Sequence, residues 1–192
     1  MPRLLLLLLL TFATHAFAYD CVVIDAGHGG HDLGGIPTNR ACEKILALDV
    51  ALRLNTILRE NGIRTVMTRH DDTFIPLPRR VAIANAQRNA IFISIHFNSA
   101  IRKGADGTET FYYNRKSAPI AARVQKQLAM ANGRENRGVK RKAYYVLRKT
   151  QIPAVLAECA FLTNPMEAAR YQQPAQRQRL ANALARAVTA SL

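Results

Sequence analysis

The sequence predicts a single three-layer α/β domain, with a mostly parallel or mixed twisted sheet and helices on both faces. Short apolar, β-branched runs at 21–25, 90–95 and 154–157 are typical of buried strands. Segments with helical periodicity lie between these runs, and strands that alternate with helices favour a parallel or mixed sheet. A chain of 192 residues, with no repeat or linker after residue 19, suits one domain with a hydrophobic core.

The elements can be assigned in order along the chain. The first strand, Cys21–Asp25, precedes a helix predicted over Glu43–Asn61, which has a polar stripe at helical spacing and ends before Gly62. The sequence then predicts a strand at 63–68, a helix at 78–88, a strand at 90–95, a strand at 108–113, a helix at 118–131, a strand at 154–157 and a closing helix from 175.

The first 18 residues have the pattern of a secretory signal peptide. Arg3 precedes seven consecutive leucines, and Ala16-Phe17-Ala18 then forms a small-x-small cleavage signal. The apolar run is shorter than the about 20 residues that cross a bilayer as a helix. We therefore expect a signal peptide at 1–18, a mature domain at 19–192 that is exported to the periplasm or outside the cell, and no stable membrane insertion after cleavage.

Basic residues outnumber acidic ones, with 27 Lys and Arg against 13 Asp and Glu and a net charge of +14. Without Arg3, 26 basic and 13 acidic residues leave the mature chain at +13. On an exported protein this charge favours an anionic cell envelope over nucleic acid as the partner. Three cysteines are too few for a disulfide-stapled mini-protein. We expect no nucleic-acid partner and a monomer.

Three predicted strands are each followed directly by a polar residue. The apolar part of the first strand runs directly into Asp25, His96 follows the strand at 90–95, and Glu158 follows the strand at 154–157. In open α/β sheets, the ligand crevice lies outside the carboxyl ends of the strands. The sequence therefore predicts that these side chains converge on one site.

A second histidine, His28, lies in the Gly-rich segment 27–30 directly after the first strand. His28 and His96 with one carboxylate would form the His₂Glu set of a catalytic zinc site, and Glu43 at the start of a helix is the natural third ligand. A lone histidine is more often a hydrogen-bonded structural residue, whereas the pair favours a metal. His31 is an alternative ligand or a substrate contact. The segment lacks the spacing of a phosphate-binding loop.

Several further motifs occur in a fixed order along the chain. They are Val23-Ile24-Asp25-Ala26-Gly27-His28-Gly29-Gly30, Glu43, Thr68-Arg69 with Asp71-Asp72, Leu77-Pro78-Arg79-Arg80, Ala84-Asn85, Ser94-Ile95-His96-Phe97-Asn98, Arg137-Gly138-Val139-Lys140, Tyr145-Val146-Leu147-Arg148 and the run from Leu156 to Asn164. These motifs resemble those of the zinc-dependent N-acetylmuramoyl-L-alanine amidases of the Amidase_3 family. The similarity covers essentially the whole mature chain, and the departures from the usual pattern, such as Phe97 and Ala160, remove no ligand.

The resemblance implies that His28, Glu43 and His96 hold Zn²⁺ and that Glu158 is the catalytic carboxylate. The implied reaction is hydrolysis of the amide between the lactyl group of muramic acid and the L-alanine of the stem peptide, in peptidoglycan or its muropeptide fragments. Taken without the resemblance, Glu158 is equally well a structural carboxylate or a further zinc ligand. Two alternatives are a non-catalytic wall-binding protein and a zinc peptidase that cuts within the stem peptide. Whether the protein has an activator protein as a partner is left open.

Asp25 and Asn98 are candidates for the groups that orient the histidine ligands. An imidazole ligand usually donates its second N–H to a carboxylate or carbonyl, which fixes the tautomer and the ring orientation. Alternatively, either residue simply caps a strand end. Export permits disulfides, and the sequence leaves a pairing of Cys21 with Cys42 open.

A basic stretch over residues 134–149 includes two adjacent tyrosines. Aromatic and basic residues together fit sugar rings and anionic wall polymer, while the simpler interpretation is a solvated basic face. We expect that neutralising Lys140, Arg141 and Lys142 weakens binding to the cell wall in a salt-dependent way. Turnover of soluble fragments should stay nearly unchanged.

Overall fold

The computed structural model describes residues 19–35, 42–102 and 104–192, so the predicted signal peptide at 1–18 lies outside the described residues. The strands are β1 (Cys21–Ala26), β2 (Arg64–Met67), β3 (Ala90–Asn98), β4 (Thr108–Tyr112), β5 (Asn136–Arg141) and β6 (Ala154–Phe161). The helices are α1 (Glu43–Glu60), α2 (Leu77–Asn85), α3 (Ala118–Asn132), α4 (Tyr145–Lys149), α5 (Pro165–Tyr171) and α6 (Pro174–Thr189). Within these described ranges, no helix has the length and apolar character needed to cross a membrane.

One six-stranded sheet forms the middle layer, in the order β2-β1-β3-β6-β4-β5. Strands β2, β1, β3 and β6 are parallel to one another. Strand β4 pairs antiparallel with β6 and parallel with β5, so the sheet is mixed, as predicted. The carboxyl ends of the four parallel strands meet at one edge of the sheet, which is where α/β proteins place their ligand crevices.

Helices cover both faces of the sheet, which confirms the three layers. Alternate residues of a strand point to opposite faces. Val22, Ile24 and Ile93 belong to the larger core cluster, together with residues of α1, α3 and α6. Val23 and Phe92 belong to a second cluster, together with residues of α2 and α4. Burial on both faces explains why these strands are apolar almost throughout.

Two strands are longer than their apolar runs. β3 continues past Ile95 to Asn98, and β6 continues past Ala157 to Phe161. The expectation that His96 and Glu158 directly follow their strands is therefore wrong, since both residues lie within strands. The reason is that a polar side chain facing a cavity leaves the backbone ladder intact, and the pairing of β3 with β6 continues through these positions.

The sequence interpretation missed β5 and α4 within the basic stretch, and also α5. β5 is an edge strand whose residues are half-buried or exposed, so it lacks the apolar alternation of a half-buried strand. α4 and α5 have five and seven residues, too few to show helical periodicity. The predicted end of the first helix is confirmed, because Gly62 adopts a left-handed conformation with φ of 74° after α1. Gly133 has the same conformation after α3, with φ of 67°.

Candidate functional site

Polar side chains replace apolar ones on a single face of the sheet, at the carboxyl ends of its parallel strands. Asp25 lies opposite Ser94 in the pairing of β1 with β3. His96 lies opposite Glu158 in the pairing of β3 with β6. All four alternate with residues of the larger core, so they face the side that α2 and α4 cover. The structure thus brings together three strands that are far apart in sequence.

The segment after β1 places His28 beside His96. Gly27 is required there, because a Cβ at this position would lie 2.4 Å from the His96 ring. His28 has a left-handed backbone, with φ of 61°, which is uncommon for a residue other than glycine. An isolated β-bridge between Gly29 and Asp32 closes the turn. The Gly-rich sequence therefore serves the close approach of two imidazoles.

Glu43 is the first residue of α1, and backbone N–H groups hold both of its carboxylate oxygens. Gly35 donates to Oε2 over 2.8 Å, and Phe97 donates to Oε1 over 3.0 Å. A carboxylate at a helix N-terminus is also stabilised by the helix dipole. The loop before α1 and the end of β3 therefore fix this side chain from two directions.

His28, Glu43 and His96 form one cluster. Glu43 Oε1 lies 3.0 Å from His28 Nε2 and 2.9 Å from His96 Nδ1. The candidate ligand atoms all lie within 4.8 Å of one another. Tetrahedral zinc with ligands at about 2.0–2.1 Å places them about 3.3 Å apart, which lies within this limit and near the two distances from Glu43. Asp32 Oδ1 lies 2.9 Å from His28 Nδ1, the partner that a histidine ligand needs at its second nitrogen. The residues present therefore fit a zinc ion.

The charges of the cluster favour a cation. Burial would raise the pKa of Glu43, but the hydrogen bonds from the two imidazoles hold it well below its usual range. Burial opposes protonation of His96, yet the hydrogen bond to Glu43 raises its pKa to about 9. The pKa of His28 is raised by the same balance of causes. One ionised carboxylate thus attracts positive charge onto both rings, and a metal ion would replace those protons.

Glu158 lies beside the cluster, and its carboxyl group suits proton transfer. Its side chain is half-buried, and its buried Oε2 has no hydrogen-bond partner in the described part of the chain. Burial raises the pKa of Glu158 to about 7, although the neighbouring His96 opposes the rise. A general acid–base catalyst is most effective when its pKa lies near the operating pH. The environment of Glu158 therefore matches that of a proton carrier.

The two residues expected to orient the histidines have other partners. Asp25 accepts hydrogen bonds from two hydroxyl groups and a guanidinium, those of Thr68, Ser94 and Arg80. Asn98 donates to a carboxylate, Glu109 Oε1, over 2.5 Å. Within the described ranges, neither has a hydrogen bond to an imidazole. Asp25 is instead linked to His28 by Arg80, which donates to the backbone carbonyl of His28.

Three residues around the cluster were not predicted to be functional. Asp32 contacts the ring of His28, and Arg69 and Arg80 donate to backbone carbonyls of the segment around it. The sequence could have indicated the two arginines, because each lies in one of the motifs that resemble the Amidase_3 family. The signal for Asp32 was its position four residues after His28, at the end of the Gly-rich turn.

The remaining candidates lie outside the cluster. His31 is exposed and packs on Phe74, with ring centroids 4.2 Å apart, and is not among the grouped ligand atoms. Cys21 and Cys42 are free cysteines, so the structure contains no bond between them. Cys159 is also free, and burial raises the pKa of its thiol well above the usual range, which disfavours a thiolate nucleophile.

A cavity of about 830 Å³ opens over the cluster. Asp25, the three candidate ligands and Glu158 line its polar part. Much of the remaining wall is apolar or aromatic and consists of Phe74, Ile75, Leu77, Tyr144, Tyr145, Val146 and Leu156. A concave, largely apolar site with a few convergent polar groups is typical of a small-molecule or peptide binding site.

A comparison with protein-family models matches residues 22–190 to the Amidase_3 family, described as N-acetylmuramoyl-L-alanine amidase. The match covers nearly all of the residues that form the three-layer domain. The chain belongs to this family. The resemblance noted in the ordered motifs is thereby confirmed.

Curated relatives of this amidase-family chain include proteins from two bacteria. The N-acetylmuramoyl-L-alanine amidase LytC of Bacillus subtilis is 37% identical over 169 residues, which are 86% of this chain and 34% of LytC. The N-acetylmuramoyl-L-alanine amidase AmiA of Escherichia coli is 29% identical over 214 residues, which are 87% of this chain and 74% of AmiA. The chain therefore spans only about a third of LytC.

Solved amidase structures share the fold. The catalytic domain of CwlV from Bacillus (Paenibacillus) polymyxa has a TM-score of 0.86 and 36% identity, covering 89% of this chain and 97% of that domain. The CwlD amidase of Clostridioides difficile, solved in complex with the GerS lipoprotein, has a TM-score of 0.85 and 26% identity, covering 90% of this chain and 98% of CwlD. The described domain therefore has the fold of an amidase catalytic domain.

Proposed function

We propose that the chain is a zinc-dependent N-acetylmuramoyl-L-alanine amidase, which cleaves the amide between the lactyl group of muramic acid and the L-alanine of the stem peptide. One observation carries the proposal: the His28–Glu43–His96 cluster lies beside Glu158, whose buried Oε2 has no hydrogen-bond partner among the described residues, in a member of an amidase family. Two imidazoles and one carboxylate are the ligands of a catalytic zinc site, which keeps a further position open for water or substrate.

Each polar residue has a distinct role in this reaction. His28, Glu43 and His96 hold the ion, which when bound acts as a Lewis acid and lowers the pKa of water. Glu158 takes the proton of the attacking water and delivers it to the amide nitrogen, which leaves poorly until it is protonated. Asp32 accepts the second N–H of His28 and keeps the ring oriented toward the ion.

We further propose that residues 1–18 direct export and that the mature domain acts on peptidoglycan or its muropeptide fragments, in the periplasm or outside the cell. The leader pattern and the basic charge of the mature chain support this location. The aromatic wall of the cavity supports a substrate with apolar ring faces, since Tyr144 and Tyr145 are each 37% exposed there.

Digestion of purified peptidoglycan with the mature domain, with and without a chelator, tests the proposal. An amidase releases intact stem peptides and peptide-free glycan, which mass spectrometry identifies. The chelator should stop product release, and added zinc should restore it. Shortened stem peptides would instead indicate a zinc peptidase. Zinc-loaded protein that binds the wall without releasing products would indicate a wall-binding protein.

A further inference from the structure

Two buried arginines lie next to the segment that carries His28. Arg69 and Arg80 are only 2% and 3% exposed. Burial of a cation is unfavourable unless its donors are satisfied and its charge is compensated. Arg80 contacts the carboxylate of Asp25, whereas the hydrogen bonds of Arg69 within the described ranges all go to backbone carbonyls. These side chains are therefore committed to holding the backbone.

The two guanidinium groups donate to the carbonyls of three consecutive residues. Arg69 donates to Ala26 over 3.0 Å and to Gly27 over 2.7 Å. Arg80 donates to Ala26 over 2.6 Å and to His28 over 2.5 Å. The backbone at residues 26–28, where the chain leaves β1 and enters the left-handed turn at His28, is thus held at every carbonyl.

The same arrangement links this segment to the other two candidate ligands. Arg69 also donates to the carbonyl of Lys44, the residue after Glu43, over 2.8 Å. Gly27 packs against the His96 ring so closely that there is no room for a Cβ. A shift of residues 26–28 would therefore change the spacing of all three ligands.

Arg80 is held in place from the sheet. Asp25 Oδ1 accepts from Arg80 over 2.8 Å and from Thr68 over 2.6 Å, and Oδ2 accepts from Ser94 over 2.6 Å. Every oxygen of this buried carboxylate thus has a donor, and two of the donors come from β3 and from the residue directly after β2. Asp25 of the sheet contacts Arg80, and Arg80 donates to the carbonyl of His28. These two contacts connect the rigid sheet to His28.

We propose that Arg69 and Arg80 are positioning residues that set the zinc affinity of the site by holding residues 26–28 in place. This inference deepens the metal site on which the proposed function rests. A non-glycine residue with φ of 61° persists only where its surroundings over-determine it. A planar guanidinium bonds acceptors along two edges at once, which the compact ammonium of lysine cannot do.

The variants Arg80→Lys and Arg69→Lys test the inference, because they keep the positive charge and remove the planar donor group. Zinc affinity is measured by competition with a chromophoric chelator, and the absorption spectrum of the cobalt(II)-substituted protein reports the ligand geometry. Neither measurement depends on catalysis. We expect zinc binding to weaken by about 10–100-fold, as for other residues that orient metal ligands, and the cobalt spectrum to change.

Two matched controls separate positioning from general loss of stability. Arg79→Lys changes the exposed neighbour of Arg80. Arg170→Lys removes another guanidinium that donates to a backbone carbonyl, that of Asn132 over 2.5 Å, but in α5 and outside the site. Both controls should bind zinc with wild-type affinity. Wild-type affinity and cobalt spectra in folded Arg80→Lys and Arg69→Lys would overturn the inference, as would an equal loss in Arg170→Lys.

Circular dichroism establishes whether each variant folds. Folding of a site variant only in excess zinc would support the inference, since the ion then supplies the missing constraint. Failure of both site variants to fold even in excess zinc would make the arginines general elements of the fold and would overturn it. If the wild type binds zinc but releases no stem peptides, the proposed function fails while the comparison of affinities still decides this inference.

Discussion

One face of the central strands contributes to the apolar core, and the opposite face contributes to the polar site. β3 shows this difference within one strand. Toward α1, α3 and α6, its residues Ile93 and Ile95 are fully buried in the larger core. Toward α2 and α4, the same strand changes from Phe92 to Ser94 and then to His96. β1 and β6 change in the same way, so the stabilising and the reactive side chains alternate along each strand.

This alternation allows a polar site to form without interrupting the core. One face contributes burial of apolar surface, and the backbone ladder holds the opposite face rigid. Burying charged groups on the polar face costs free energy unless each of them has a partner. Asp25, Arg69 and Arg80 have such partners, while Oε2 of Glu158 has none in the described part of the chain. Among these four residues, the one with an unsatisfied buried atom has the reactive role in the proposed mechanism.

The largest expected effect comes from removing the proton carrier on the polar face. Glu158→Gln keeps the shape of the side chain but cannot accept a proton, so we expect turnover of muropeptides to fall by about 10²–10⁴-fold. Zinc content should stay unchanged, because Glu158 is not one of the grouped ligands. Turnover is measured by mass detection of released stem peptides, and metal content by elemental analysis.

Glu60→Gln is the matched control, since Glu60 is an exposed carboxylate at the end of α1. It should leave both turnover and zinc content at wild-type values. Loss of zinc from Glu158→Gln would show that Glu158 is a fourth ligand rather than a proton carrier.

A substitution on the apolar face of β3 should lower the stability of the protein and leave its zinc affinity and turnover unchanged. Ile93 is 1% exposed, and Ile93→Ala leaves a cavity that we expect to lower the free energy of unfolding by about 2–5 kcal/mol. Zinc affinity and turnover per folded molecule should stay near wild type, because the polar face of the strand is unchanged. Urea unfolding measures the first quantity and chelator competition the second. A loss of zinc affinity that matched the loss of stability would show that the two faces are not independent.

The carboxyl group of Glu158 also predicts a pH-dependent stability difference in the metal-free protein. Burial raises its pKa from 4.5 to about 7 in the folded state. Below the unfolded pKa the group is protonated in both states and costs nothing. As the pH rises toward the folded pKa, the unfolded state ionises first, so the folded state loses relative stability, and the full cost is present above about pH 7.

Glu158→Gln cannot ionise and should avoid this cost. We expect the variant to be more stable than the wild type by about 3 kcal/mol above the folded pKa, and equally stable well below the unfolded pKa. Urea unfolding in the presence of a chelator, at about pH 8 and about pH 3, measures the difference. A stability difference that is the same at both pH values would contradict the assignment of the raised pKa.

The sequence predicted the core elements and the ligand cluster for one reason: both depend on strong local patterns. Apolar β-branched runs marked β1, β3 and β6, and the motifs around His28 and His96 marked the site. The orienting residues were missed because their role depends on contacts between distant segments. Arg69 and Arg80 meet the His28 segment from residues far along the chain, with sequence separations of 42 and 52 for their bonds to Gly27 and His28.

The basic stretch shows a second limit. Its residues looked equivalent in sequence, yet they have different environments. Lys140 pairs with the buried Glu109, which lies directly opposite Glu158 in the pairing of β4 with β6. Arg141 is exposed, with its guanidinium stacked 4.9 Å from the ring of Tyr113. The positive charge of these residues does not distinguish their environments. The register of β5 determines which of their side chains faces the site.

The smallest expected effect therefore concerns the exposed part of this stretch. The double variant Arg141→Gln with Lys142→Gln should weaken binding to purified cell-wall sacculi by about 2–5-fold at low salt, because each exposed charge contributes little. The loss should shrink at high salt, where surface charges are screened. Turnover of soluble muropeptides should be unchanged. Lys140→Gln is expected to differ by lowering that turnover, since it removes the cation paired with Glu109, which lies opposite Glu158 and keeps only its hydrogen bond from Asn98.

The matched control removes the same charge from the opposite layer. Arg59 in α1 and Arg179 in α6 are exposed, so Arg59→Gln with Arg179→Gln lowers the net charge equally without changing the cavity side. Co-sedimentation with sacculi at two salt concentrations compares the two double variants. If docking depends on the surface beside the cavity, only the first double variant loses binding. If both double variants lose binding equally, net charge alone attracts the protein to the wall. Binding to the wall then does not depend on which face of the sheet carries the charge.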